Sequence, residues 1–217
     1  MSSPLDGANP AARTAQHDPA GVRADVDLPR ANRLVNHGPT VLVSARHGAR
    51  RNVMAAAWSM PVEFEPPRIA VVLDKSTYTR ELVLASGTLA LNLPCAAIVD
   101  LAYTVGSVSG RDDAIDKFDR YGIGCFDGPA LGLPLVEGCV GWLECRVIRE
   151  PHAEDAYDTF FCEVVAAQAD VRVFAHGRWS FRDDNAALHT LHHLGAGLFA
   201  LPARTLQATR LDAVPGR

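Results

Sequence analysis

Residues 106–118 read GSVSGRDDAIDKF and gather groups that bind anions: the hydroxyls of Ser107 and Ser109 and the cations Arg111 and Lys117, around a helix start. The first amides of a helix have no partner within it, and the helix dipole adds positive charge there, so phosphate is well received. A solvated surface helix that opens with Ser and carries a Lys shows the same pattern, and both readings stand. Residues 50–67, RRNVMAAAWSMPVEFEPP, pose a different question. Asn52, Ala55, Ala56 and Ala57 occupy a strand-length run where Val or Ile packs better, because alanine offers its neighbours little surface. Small side chains there leave space for a flat molecule close to the backbone.

Other chemistries fit less well. GIGCFDG, residues 122–128, spaces its glycines one residue too far apart for a dinucleotide fingerprint and follows a helix rather than a strand. No phosphate-binding loop of the G-x-x-x-x-G-K-[ST] type occurs. HTLHH, residues 189–193, sets His189 and His193 at a spacing that shares one face if helical, so the two could hold a metal. Thr190 stands where a metalloprotease carries Glu, and no third ligand is evident, so a pocket rim or an interface is the other reading for these histidines. There is no G-x-S-x-G, and no cysteine adjoins a histidine; a nucleophilic dyad could form only in space.

Composition bounds the rest. The chain has 217 residues, 48% hydrophobic and 21% charged, enough for one domain, possibly two, with a sizeable core. Its net charge of −4 gives no support to nucleic-acid or anionic-membrane binding. No run of about 18 apolar residues suggests a membrane span, and no secretory signal pattern opens the chain. The five cysteines, Cys95, Cys125, Cys139, Cys145 and Cys162, form no C-x-x-C pair, which points to buried thiols in a reducing cytoplasm.

The elements that must position these residues follow from periodicity. Residues 1–30, rich in Ala, Pro, Asp and Gly, read as a flexible arm able to wrap a partner subunit. TVLVSAR and NVMAAAWSM flank the turn HGARR as a hairpin, EPP closes the second segment, and RIAVVLD is the next strand. STYTRELVLASG predicts a helix capped at Gly87, TLALNLP a strand and AAIVDLAYTVG a helix. SGRDDAIDKFDRYG predicts a helix with Ser109 or Asp112 as N-cap and Gly122 as its stop, and residues 125–137 a loop. VGWLECRVIRE sets Leu143, Cys145 and Val147 against Glu144 and Arg146, and DTFFCEVVAAQADV alternates likewise, as strands of an antiparallel sheet do. Some six strands with short helices make a mainly β (α+β) fold, closed or nearly closed as a barrel.

In order along the chain, NVMAAAWSMPVEFEPP, STYTRELV, GSVSGRDDAIDKF, PLVEGCVGWLECRVIRE and LHHLGAGLFA resemble the flavin reductase-like family of FMN-binding split-barrel proteins. That family includes flavoredoxins and reductase components of two-component monooxygenases. The resemblance spans residues 34–202. It implies a Greek-key split β-barrel over residues 31–205 with a tail over 206–217, a homodimer, and FMN in a groove at or near the subunit interface. It also implies an oxidoreductase that passes a hydride from NAD(P)H to flavin, then serves a monooxygenase or another acceptor.

By the same resemblance, Asn52, Val53, Met54, Ala55 and Trp58 approach the isoalloxazine or ribityl chain, and Thr79 faces the ribityl-phosphate end. Lys117 is the flavin-side cation, with Ser109 and Arg111 nearby, and Phe199 covers an edge of the ring. The alanines then read as clearance for that ring. Three positions depart from the family: Ala55 and Ala57 stand where it often has Thr and Ser, Asp158 where it often has His, and Ala196 where it usually has Gly. A carboxylate at Asp158 would oppose a reduced, anionic flavin. The departures imply weaker FMN affinity, a different flavin or a lost cofactor. A non-catalytic flavin carrier or store is therefore a second reading, and a barrel that binds haem, another ligand or nothing is a third.

Overall fold

The computed structural model describes residues 22–111, 116–203 and 205–211. Most of the expected arm and Asp112, one expected cap, lie outside the described residues. The arm's end does not: β1 (Arg23–Asp25) adds a strand to the main sheet, so ordered structure begins before residue 31. After α1 (Asn32–Val35), β2 (Val41–His47) and β3 (Arg50–Ala56) form the expected hairpin, turning at Gly48, whose φ of 58° suits glycine. The extended run then breaks at Ala57 and Trp58. β4 (Ser59–Phe64) folds back on β5 (Pro67–Val72), which makes EPP part of a tight turn between two strands.

α2 (Tyr78–Ser86) ends as its sequence predicts, with Gly87 at φ 69° and its N–H on the Val83 carbonyl. β6 (Thr88–Leu93) and α3 (Val99–Ser107) follow. Of the helix expected over residues 109–122, the described residues form one turn, α4 (Lys117–Arg120), which Asp116 caps by accepting the Asp119 N–H at 2.7 Å. β7 (Cys125–Asp127) and β8 (Pro134–Val136) pair within the stretch read as loop. β9 (Gly141–Ile148), the short α5 (Pro151–Tyr157) and β10 (Thr159–Asp170) complete the centre. Two small ladders close the chain, β11 (Phe174–Ala175) with β12 (Arg178–Trp179), and β13 (His192–Gly195) with β14 (Leu198–Ala200). His193 thus lies on a strand while His189 precedes it, so the shared helical face for a metal does not form.

The main sheet is antiparallel with the order β3-β2-β6-β9-β10-β5-β4. β10 is long enough to pair with β5 through its first half and with β1 through its end, bulging between Val164 and Ala166 against β9. The two outermost strands, β3 and β4, are joined by only Ala57 and Trp58, so the sheet must curl until its ends meet. They meet without pairing, which leaves the barrel split. No helix among the described residues is long and apolar enough to cross a membrane.

Both faces of the sheet are covered, which is why β2 is buried without a break from Val41 to Ala45. Val41, Val43, Ile69, Leu91, Leu143 and Phe160 fill the inside, while Leu42, Val53, Ala102, Val105, Phe118 and Trp142 pack a second core under α3 and α4. The alternation in β9 is real, yet Glu144 on its polar side is buried. Its carboxylate accepts the N–H groups of Ala130 and Leu131, so the β7–β8 segment covers a face expected to be wet.

His37 sits among Trp179, Phe181 and His192, with ring centroids 5.1, 5.9 and 5.3 Å away. Its Nε2 is 2.9 Å from Thr190 Oγ1. Burial, with His192 as a second influence, lowers its pKa from 6.5 to about 4. The folded chain therefore prefers neutral His37: this stability is present above the unfolded value and is lost as pH falls from about 6.5 towards 4. Allowing for partial exposure, the loss amounts to about 2 kcal/mol. Urea unfolding at about pH 7.5 and about pH 5 should show a smaller loss for His37→Gln than for the unaltered chain, and equal losses would remove His37 as the cause.

Candidate functional site

β3 supplies one wall of a cleft of about 220 Å³, lined also by the start of α2, the end of α3 with the residues after it, and Lys117. The opening of α2 gives the cleft its polarity. Thr77, the N-cap, makes no side-chain capping bond. Its hydroxyl instead donates to the Asp74 carbonyl at 2.7 Å, and Ser76 donates its N–H and hydroxyl to the Asp74 carboxylate. The first-turn amides of α2 are thereby left for a ligand, with Ser76, Thr77, Tyr78 and Thr79 lining the cleft. This helix start suits an anion better than that of α4, which is one turn long and begins beside its own acidic cap.

α2 is held from below by Arg80, whose guanidinium donates to the Leu73 carbonyl at 2.8 Å, the Glu154 carbonyl at 2.7 Å and the Asp158 carboxylate at 2.5 Å. Asp158, at φ 54° behind α5, also pairs with Lys75 at 3.2 Å. The hydrogen bond from Arg80, aided by Lys75, keeps its carboxyl below the usual range. Its charge is therefore matched by two cations, and it does not line the cleft.

The expected residues divide. Asn52, Met54, Thr79, Ser109 and Lys117 meet in the cleft. Asn52 is 2% exposed, and its Nδ2 donates to Thr79 Oγ1 at 2.9 Å, joining β3 to α2. Lys117 is 3% exposed and donates to the carbonyls of Val53 at 3.0 Å and Val105 at 2.8 Å. Burial alone lowers its pKa to about 8. Val53 points into the outer core. Arg111 is exposed and ion-paired with Glu81. Trp58 is 74% exposed on the β3–β4 link, and Phe199 packs on His193 and the outer core, both away from the cleft lining.

The alanines acquire a different meaning. A Cβ on Gly106 of α3 would lie 2.9 Å from the Cβ of Ala55, so Ala55 is small because a helix backbone rests on it. Ala56 belongs to the inner core, and Ala57 is exposed on the link. Sequence reasoning missed Ser76, Thr77, Tyr78 and Val105 as lining, while the GSVSG stretch it singled out does line the cleft. The signal was the hydroxyl run STYT ahead of a helix. A larger cavity of about 370 Å³, lined by Cys95, Phe126, Cys139, Trp142 and Arg172 among others, holds none of the expected residues, and its Asp170 and Arg172 pair with each other.

A flavin reductase-like domain model matches residues 33–181. The chain belongs to the flavin reductase-like family. The Escherichia coli K12 protein YddH is 54% identical over 186 residues, covering 84% of this chain and 96% of that one. The FMN-binding domain of a flavin reductase-like enzyme from Shewanella baltica OS155 superposes with a TM-score of 0.83 at 44% identity, over 86% of this chain and 97% of its own. Flavoredoxin of Desulfovibrio vulgaris (Miyazaki F) gives 0.65 at 25% identity, over 81% and 92%. The NADH-dependent FMN reductase RutF of Variovorax paradoxus is 28% identical over 143 residues, 64% of this chain and 76% of RutF.

The position at which the resemblance implies a glycine is strained here. Ala196 stands at φ 50° between Gly195 and Gly197, in a region that costs a side-chain-bearing residue about 1 kcal/mol. Ala196→Gly is expected to leave stability unchanged or raise it by up to about 1 kcal/mol, read as the midpoint of thermal unfolding; a clear fall would show that Ala196 packs usefully.

Proposed function

We propose that the cleft holds FMN and that the protein is an oxidoreductase that reduces flavin with NAD(P)H. The observation that carries this is the uncapped N-terminus of α2 opening into a cleft beside Asn52, in a chain of this family. The residues present fit the group. The first-turn amides of Tyr78 and Thr79 and the hydroxyl of Ser109 would take the phosphate. Asn52, Met54 and the backbone of residues 105–110 would border the ring, with polar and apolar surface both available. Bound there, FMN supplies the hydride-accepting chemistry, and the chain's part is to bind, orient and exclude water. No acid–base pair of side chains is needed for that. The reduced flavin would serve a monooxygenase or another acceptor, in a reducing cytoplasm that suits five free cysteines.

The reading extends to a homodimer. β4 is an end strand, and Trp58, Met60, Val62 and Phe64, two residues apart, are all exposed, Phe64 by 68%. In the same hairpin, Ser59 Oγ and Arg68 Nε are buried without a hydrogen-bond partner among the described residues. An apolar edge of this kind associates, and a second copy is the partner that the family supplies.

A flavin carrier without reductase activity is the second reading, favoured by the likeness to flavoredoxin. Two measurements separate the proposals. Purified protein should show flavin absorption, or quench FMN fluorescence on titration, and should then oxidise NADH or NADPH; binding without oxidation selects the carrier, and absence of binding refutes both. Light scattering should report a dimer for the unaltered chain and a monomer for Met60→Asp combined with Phe64→Asp. A dimer that survives both charges would place the interface elsewhere.

A further inference from the structure

The sequence reading gives Lys117 to the flavin as a cation, but its ammonium is already engaged. Its two hydrogen bonds end on backbone carbonyls from different elements, Val53 of β3 and Val105 of α3. Both carbonyls are ones that secondary structure leaves over. β3 ends the sheet, and Val105 is in the last turn of α3, where carbonyls lack helical partners and a cation is favoured. The lysine is delivered from the far side by α4, which Arg51 of β3 fixes through Asp116 at 2.8 Å and Asp119 at 2.9 Å, its guanidinium lying 4.6 Å from the Phe118 ring centre.

On either side of this contact, the wall of the cleft touches β3 too closely for any side chain. A Cβ on Gly106 would lie 2.9 Å from Ala55 Cβ, and one on Gly110 would lie 2.4 Å from Asn52 Oδ1. β3 therefore meets the wall at Ala55, Val53 and Asn52 in turn, and the middle contact is the lysine.

We propose that Lys117 is a positioning residue, a buried strut that clamps the 105–110 wall to β3 and so fixes the shape of the cleft before any ligand enters. The inference rests on the flavin reading of the cleft for its consequence, while the clamp itself is a property of the free protein. A wall held in its binding shape loses little freedom on association, so releasing it weakens binding even where no ligand contact is lost.

The test compares the unaltered protein with Lys117→Met, which keeps length and apolar volume but donates nothing. In the absence of flavin, hydrogen exchange at the amides of residues 105–110 should quicken by about tenfold or more while β9 and β10 keep their protection, a local change that a general loss of stability does not produce. FMN affinity should fall by about tenfold or more. Unchanged exchange at residues 105–110 overturns the strut, and so does undiminished affinity. If the unaltered protein binds no FMN, the flavin reading fails, and the exchange data still decide whether Lys117 holds the wall. Should Lys117→Met not fold, Gly106→Ala decides. It pushes the same wall off Ala55 and should weaken FMN binding, and adding Ala55→Gly should restore it; absence of the weakening, or of its rescue, overturns the proposal.

Discussion

The close approach of α3 and the chain after it to β3 is the constraint on which the site depends. At two places the contact leaves no room for a Cβ, and between them a buried ammonium joins two backbone carbonyls. Such packing fixes side-chain size on both partners: glycine on the wall, alanine or a short polar residue on the strand. Asn52 does double duty, backing Gly110 and reaching across to Thr79, so that strand, wall and α2 are joined through one side chain.

The barrel explains why β3 can play this part. As an end strand it has one unpaired edge, and its outer face is covered by helices rather than by water. The link through Ala57 and Trp58 sends the chain at once to the opposite end of the strand order, where β4 presents its apolar side outward. One end of the sheet thus lines the cleft, and the other presents an exposed apolar row. Buried polar groups such as Glu144, met by two backbone amides, keep the outer layers in register with the sheet.

Much of this was legible in the sequence, where local signals and tertiary demands agree. The alternation of β9 and β10, the β2–β3 hairpin and the Gly87 cap all follow from residue pattern alone. The break between β3 and β4 did not, because Ala57 and Trp58 are not turn formers and only barrel closure requires the bend there. The start of the helix expected over residues 109–122 was harder to read, because its Ser and Asp residues offered several caps, and among the described residues Asp116 serves by accepting the Asp119 N–H. Asn52, Thr79 and Lys117 were recognised as a group through family resemblance, yet Asp158 and Arg111 could not be placed, since what neutralises them lies far away in sequence, at Arg80 and Glu81. Exposure of Trp58 likewise belongs to the assembled surface.

Arg80 carries a further consequence. It sits in the first turn of α2 and reaches three acceptors from two other parts of the chain, the Leu73 carbonyl after β5 and the Glu154 carbonyl and Asp158 carboxylate of the α5 region. The axis of α2 is thereby aimed by contacts on its hidden side. Its electric field points into the opening whether or not an anion is present, so under the flavin proposal an arriving phosphate would meet a standing potential and have no helix to reorient. Capture should then be governed by how often the anion encounters the opening, and the rate of association should fall as added salt screens that field.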